Sequence, residues 1–117
     1  MDSSAGSPKL LLKLLSATEL RARVLSANIA NQNTPGYTRR EVRFEDVLRE
    51  RLQRGSGVED LDPVVVEDTL TPGREDGNNV NLEYELNSLR ENRLIYEIYS
   101  SILQSQETFE KIALDAR

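Results

Sequence analysis

Hydrophobic and polar residues follow a helical spacing near both ends of the chain, but not in its middle. Between Lys9 and about Gln32, apolar residues recur in steps of three, four and seven positions. Such steps form the seam of a coiled-coil-like helix. The apolar members of this stripe are Leu11, Leu15, Ala22, Leu25 and Ile29. The spacing therefore predicts a long N-terminal helix that packs along one face.

A second and longer helix is predicted from about Asn79–Asn81 to the end of the chain. An asparagine cap, followed by Glu83 and Glu85 in the first turn, favours a helix start here. The predicted seam residues of this helix are Leu82, Leu86, Leu89, Tyr96, Tyr99, Ile102 and Phe109, with Asn92 and Gln106 on the same seam. At 1.5 Å per residue the helix would be about 50 Å long, which exceeds what a small globule needs.

The first helix is followed by the turn sequence Thr34-Pro35-Gly36-Tyr37. Proline fixes its own φ and glycine accepts a positive φ, as a type II turn requires. The middle of the chain, 38–79, is less regular. Its pattern predicts a short extended segment that ends near Phe44, a short helix over Glu45–Arg54 and a strand over Val64–Thr69. Turn-rich sequence surrounds these elements, and we expect the segment to be weakly ordered in a free subunit.

These elements predict a mainly α fold. The long N- and C-terminal helices pair antiparallel in a coiled-coil-like bundle, and an irregular, partly β segment separates them. The predicted regions are a flexible N-terminus (1–8), an N-terminal helix with its turn (9–37), the middle segment (38–79) and the C-terminal helix (80–117). Both stripes are longer than one subunit can cover, so the remaining faces are expected to pack on other copies.

The amino-acid composition argues against several kinds of protein chemistry. The chain has 117 residues with no cysteine and no histidine. It therefore lacks the usual thiol nucleophile, general base and transition-metal ligands, and we predict no enzymatic activity and no cofactor. Lys13 interrupts the leucines near the N-terminus, so we expect no cleaved signal peptide. The overall charge of −5 argues against binding nucleic acid.

Charge is divided between the two halves of the chain. Residues 1–54 hold ten basic and six acidic side chains, whereas 55–117 hold five basic and fourteen acidic ones. Two halves of opposite net charge suit head-to-tail contact between copies, or contact between the two ends of one copy. Two solvated helix faces that differ in charge would give the same pattern.

Two clusters of polar residues are candidate sites. The loop Asp76–Glu83 offers oxygen ligands for Ca²⁺, but its order differs from the EF-hand pattern and favours a loop that leads into a helix cap. The amides of Asn28 and Asn31 share one helix face and could bond backbone at a subunit contact. A fraying helix end capped by Asn33 is an equally good interpretation.

The segment Ala27–Tyr37, "ANIANQNTPGY", resembles the N-terminal signature of the bacterial flagellar axial proteins. The matching residues, which we take as an assembly motif, are Asn28, Ile29, Ala30, Asn31, Thr34, Pro35, Gly36 and Tyr37. The short middle segment resembles that of the short proximal rod proteins. In Asp76–Leu103 the loop and the long helix, with Asn92 and Tyr96, resemble the C-terminal part of such a protein.

The resemblance implies a structural rod subunit of the basal body that assembles helically and transmits torque for motility. It implies export by the flagellar type III apparatus to the periplasmic space. The implied partners are other copies, rod proteins of the FlgC, FlgF and FlgG type, the rod-base adaptor FliE and the membrane ring, with no small-molecule substrate. A soluble helical export chaperone or adaptor is the alternative, and a Ca²⁺-dependent binder or enzyme using the 76–83 loop is a third reading.

Overall fold

The computed structural model describes residues 8–116, which form three helices and two short strands. The elements are α1 (Pro8–Ala30), β1 (Arg40–Arg43), α2 (Glu45–Gln53), β2 (Val64–Glu67) and α3 (Leu82–Asp115). Apart from Pro8, which begins α1, the predicted flexible N-terminus lies outside the described residues. None of the described helices has an apolar stretch long enough to cross a membrane.

Helices α1 and α3 pack side by side in opposite directions. Near one end of the pair, the Asn28 side chain donates to Glu85 Oε1 over 3.0 Å. Further along, Asn92 Nδ2 donates to the carbonyl oxygen of Thr18 over 2.8 Å. Because the earlier residue of one helix meets the later residue of the other, the pair is antiparallel. The mainly α fold with paired end helices is thereby confirmed.

Helix α3 is much longer than its partner. It has 34 residues and α1 has 23, which correspond to about 51 Å and about 35 Å. Its start is fixed by Asn81, whose side chain accepts a hydrogen bond from the Tyr84 backbone N–H. The last part of α3 therefore extends past the described part of α1, and the described chain measures 66 × 29 × 15 Å.

The middle segment packs against α1 beside α3. Strands β1 and β2 pair antiparallel, with Arg40 opposite Glu67 and Arg43 opposite Val64. A small apolar core joins α1 to this segment; its buried members are Leu10, Ala17, Phe44, Leu48 and Leu61. The segment that the sequence predicts to be irregular thus contains the two-stranded sheet, and its apolar side chains find their partners on α1.

The predicted seam residues occupy different surroundings. Leu11 and Leu25 are buried, and Leu15, Leu89 and Tyr99 are half-buried. The other five predicted seam residues of α3 are exposed in the single chain: Leu82, Leu86, Tyr96, Ile102 and Phe109. The fully covered positions of α3 are the polar residues Glu85 and Asn92. Contact of the exposed residues with other copies stays a prediction.

Candidate assembly site

The turn after α1 has the geometry that its sequence predicts. The helix ends at Ala30, and the Tyr37 backbone N–H donates to the Thr34 carbonyl oxygen over 3.2 Å. Gly36 has φ 75°, in the left-handed region that glycine adopts without strain. The turn sends the chain back along α1, so that 37–43 runs beside the helix it has just left.

Asn28 holds this returning segment. Its side chain is fully buried, and its Nδ2 donates to the Arg40 carbonyl oxygen over 2.9 Å and to Glu85 over 3.0 Å. Its Oδ1 accepts from the Arg40 backbone N–H over 3.0 Å and from the Tyr37 hydroxyl over 3.1 Å. An amide offers two donors and two acceptor positions, and all four are used. Asn28 therefore links α1, the turn and α3.

Arg39 and Glu85 form a buried ion pair beside Asn28. Arg39 Nε lies 2.6 Å from Glu85 Oε2, and the side chains are 5% and 0% exposed. The same guanidinium bonds Glu41 and Asp68, each at 3.0 Å, and lies 5.0 Å from the centre of the Tyr84 ring. Arg39, which directly precedes β1, is thus connected to α3 and to Asp68, the residue that follows β2.

The surroundings shift the pKa values of this network. Burial opposes the charged form of Arg39, but its hydrogen bonds to Glu85, Glu41 and Asp68 outweigh that effect and raise the pKa of Arg39. The hydrogen bond from the Thr71 hydroxyl, together with Arg39, lowers the pKa of Asp68. Both Arg39 and Asp68 therefore stay charged near neutral pH.

The loop before α3 closes over the turn. Asn78 is buried, and its Nδ2 donates to the carbonyl oxygens of Asn31 and Thr34, both over 2.8 Å. The Gly36 backbone N–H donates to the Asp76 carbonyl oxygen over 2.8 Å. The backbones touch here, since a Cβ on Gly77 would lie 3.3 Å from Gly36 Cα. The turn and the loop therefore act as one joint.

The next residue, Asn79, also uses its side-chain amide to bond backbone groups of other segments. Its Oδ1 accepts from the Arg39 backbone N–H over 2.7 Å. Its Nδ2 donates to the carbonyl oxygens of Asp68 and Thr71, over 2.9 and 3.2 Å. Asn79 thus satisfies backbone groups where the two strands end.

The predicted motif residues divide into two groups. Asn28 and Tyr37 enter the network, whereas Ala30, Asn33, Thr34, Pro35 and Gly36 are exposed, and Ile29 and Asn31 are half-buried. The Asn31 side chain bonds only locally, to the Ala27 carbonyl oxygen over 2.9 Å and to the Thr34 hydroxyl over 3.0 Å. The helix also ends three residues before Asn33. Only the first asparagine therefore bonds a distant segment, through its buried side chain.

Sequence reasoning missed most of the network, which comprises Arg39, Asp68, Asn78, Asn79 and Glu85. Arg39 lies in a basic run that suggests a solvated face, and Glu85 fits the acidic first turn of a helix. The one usable signal was the density of asparagines at 78–81. The loop amides of Asn78 and Asn79 bond backbone, and within residues 8–116 no group of three or more acidic side chains is placed to hold a metal ion.

We call the joint formed by Asn28, Tyr37, Arg39, Asn78 and Glu85 the clasp. It brings together the end of α1, β1, the loop before α3 and the first turn of α3 through hydrogen bonds to backbone and one ion pair. Such an arrangement fixes these segments relative to one another, because its hydrogen bonds are directional and those to Glu85 are buried.

Comparison with known proteins gives a consistent result. The family model described as flagella basal body rod protein matches residues 15–38, which include the predicted motif. The chain is similar to the flagellar basal body rod protein FlgB of Borrelia hermsii, at 33% identity over 77% of this chain and 82% of that protein. It is also similar to FlgB of Escherichia coli K12 (31%; 74% and 76%) and of Bacillus subtilis 168 (26%; 83% and 84%).

Proposed function

Because this chain belongs to the family of the flagellar basal body rod protein FlgB, we propose that it is a structural subunit of the rod of the bacterial flagellar basal body. The observation that carries this proposal is the similarity to FlgB proteins of three distant bacteria along most of the chain. The architecture supports it: two long end helices pair, and α3 keeps large apolar residues exposed.

The finer proposal places the subunit in the proximal rod. There it assembles helically through its end helices, lies in the periplasmic space and passes torque to the next rod segment. Its partners are other copies, FlgC-, FlgF- and FlgG-type rod proteins, FliE and the membrane ring, and it reaches them through the flagellar export apparatus. It performs no catalysis. The clasp supports this mechanical role, because it ties both end helices to the middle segment.

Genetic replacement tests the proposal. The chain is expressed in a bacterium whose own FlgB gene is deleted and whose basal bodies carry the membrane ring without a rod. We expect the chain to restore the rod in electron micrographs and swimming in soft agar. An export chaperone would be absent from purified basal bodies, so failure to find the chain there would contradict the proposal.

A further inference from the structure

The two strands of the sheet differ in how their outer edges are bonded. On the outer edge of β1, the Asn28 side chain bonds both the N–H and the C=O of Arg40. On the same edge, Arg21 donates to the Val42 carbonyl oxygen over 3.3 Å. Side chains of α1 thus take the place of a third strand beside β1. Within residues 8–116 no third strand pairs with β2.

The register of the sheet shows which backbone groups of β2 point outward. Arg39 and Asp68 form a hydrogen-bonded position, since the Asp68 N–H donates to the Arg39 carbonyl oxygen over 2.9 Å. Such positions alternate along an antiparallel pair, so Val66 bonds toward β1. The N–H and C=O groups of Val65 and Glu67 therefore point away from β1. No side chain or loop of residues 8–116 bonds these four groups.

The side chains along this free edge are accessible and mostly apolar. Val64 is 51% exposed and Val65 is 42% exposed. Because side chains alternate along a strand, Val65 and Glu67 lie on one face of the sheet. An exposed strand edge of this kind is a template for a further strand, and a two-stranded sheet gains stability from a third. The unpaired backbone groups thus specify an occupant with an extended backbone.

The chain around β2 is acidic. Residues 55–73 contain five carboxylates and no lysine or arginine. Three of these carboxylates form ion pairs with cations from other parts of the chain: Asp60 with Arg51, Asp62 with Lys13 and Asp68 with Arg39. Glu59 and Glu67 are exposed, and neither forms an ion pair within residues 8–116. A second copy of β2 would bring further unpaired carboxylates to this edge, whereas a basic segment would neutralise them.

We propose that β2 binds an extended, basic segment of a partner protein as a third strand. The backbone groups of Val65 and Glu67 pair with the partner backbone. The partner places an apolar side chain beside Val65 and a lysine or arginine beside Glu67, and these two partner residues are two positions apart. The contact uses the middle segment rather than the end helices, so it goes beyond the proposed function and does not depend on it.

A peptide titration of the complete purified chain tests the proposal. The probe is a short synthetic peptide of valine, threonine and lysine in which a valine and a lysine are two positions apart. Backbone amide signals of the chain are followed by NMR. We expect the largest shifts at Val65 and Glu67, together with slower hydrogen exchange of these two amides. Shifts confined to α3, or no binding of the peptide, would overturn the proposal.

Two control peptides separate strand addition from other kinds of binding. Methylation of every backbone nitrogen removes the backbone donors and keeps all side chains and charges, so it should abolish binding. Replacement of lysine by glutamate keeps the backbone donors and should weaken binding by about fivefold, because like charges then lie side by side. Equal affinity of the methylated peptide would mean that side chains alone hold it, which contradicts strand addition.

Substitutions in β2 test the same contact from the side of the protein. Val65→Pro removes one outward N–H and keeps the bonds to β1, because an edge strand tolerates proline where the N–H faces away from the sheet. We expect it to weaken peptide binding by about tenfold or more. Val65→Thr keeps this N–H and is the matched control, with binding expected to stay near that of wild type. Equal affinity of the two variants would refute the backbone contact.

Glu67→Lys provides a second test that leaves every backbone bond in place. It should reverse the preference, so that the glutamate peptide binds more tightly than the lysine peptide. An unchanged preference would argue against the charge of the partner.

The chain without peptide gives a further check. Shifts at Val65 and Glu67 that grow with its own concentration would show that a second copy occupies the edge, and would overturn the proposal. A chain that binds the peptide but restores no rod would contradict only the proposed function.

Discussion

Asn28 and Glu85 are polar helix residues that lie outside both apolar stripes predicted from the sequence. Each is fully buried, and each bonds a segment distant in sequence. Burial of such groups is favourable only when their bonding capacity is satisfied. Their presence therefore indicates that this part of the interior is organised by specific bonds more than by apolar packing.

Removal of the Glu85 carboxylate should be costly. Glu85→Ala leaves the guanidinium of Arg39 buried without its shortest partner. We expect the free energy of unfolding, measured by urea denaturation, to fall by about 3–5 kcal/mol. Glu83→Ala is the matched control, since it removes an exposed glutamate from the same helical turn and should cost less than about 1 kcal/mol. Equal losses in the two variants would refute the importance of the buried pair.

Asp68 gives the network a dependence on pH. Its pKa lies below the usual value in the folded protein. Its contribution to stability is therefore complete above the ordinary pKa of about 3.9 and is lost as the pH falls through the lower folded-state value. We expect Asp68→Asn to be less stable than wild type at pH 7 and to lose less further stability in the range below about pH 4. Thermal unfolding between pH 2 and pH 7 measures this, and parallel curves would argue against it.

At the scale of elements, the turn after α1 is the critical connection. It reverses the chain within four residues and places β1 beside the helix. The loop before α3 then closes on the turn, with the Gly36 backbone N–H bonded to Asp76. A change in the path of the turn would therefore displace both the strand and the loop.

Gly36→Val tests the turn. There is space for the side chain, since nothing lies within 4 Å of a Cβ built at Gly36, but φ is 75°. A β-branched residue resists that conformation, and we expect a loss of about 1–2 kcal/mol in unfolding free energy together with impaired swimming. Gly57→Val is the control, because its Cβ would meet only a flexible glutamate side chain. Wild-type swimming with Gly36→Val would contradict a role of the turn in assembly.

At the scale of the whole molecule, we expect stability and assembly to depend on different regions. The apolar core joins α1 to the middle segment, whereas the last part of α3 is mostly exposed. A chain that ends at residue 103 should therefore unfold within about 1 kcal/mol of the full chain in urea. It should nevertheless fail to restore swimming, because it lacks Phe109 and Ile112.

A single substitution in the removed segment provides the comparison. Glu107→Gln keeps every apolar residue of α3 and should support normal swimming. Marked destabilisation of the shortened chain would mean that the end of α3 belongs to the folded core of the subunit. Normal swimming of the shortened chain would mean that assembly does not need this end.

The sequence by itself determined the two end helices, the turn between 34 and 37, the positions of the short strands and helix, and the family. These features follow from local signals: helical spacing of apolar residues, a proline and glycine with fixed backbone preferences, an asparagine cap, and a motif of adjacent residues. Each can be read within one short window of the chain.

Only the tertiary structure decided which face of α3 meets α1 and which residues form the clasp. Arg39 and Glu85 are 46 positions apart, and each alone is typical of a solvated surface. Their role depends on the turn, the loop and the antiparallel helix pair bringing them together. The covered stripe of α3 runs through Glu85 and Asn92 because hydrogen bonds between segments, as well as apolar burial, fix how the helices pack.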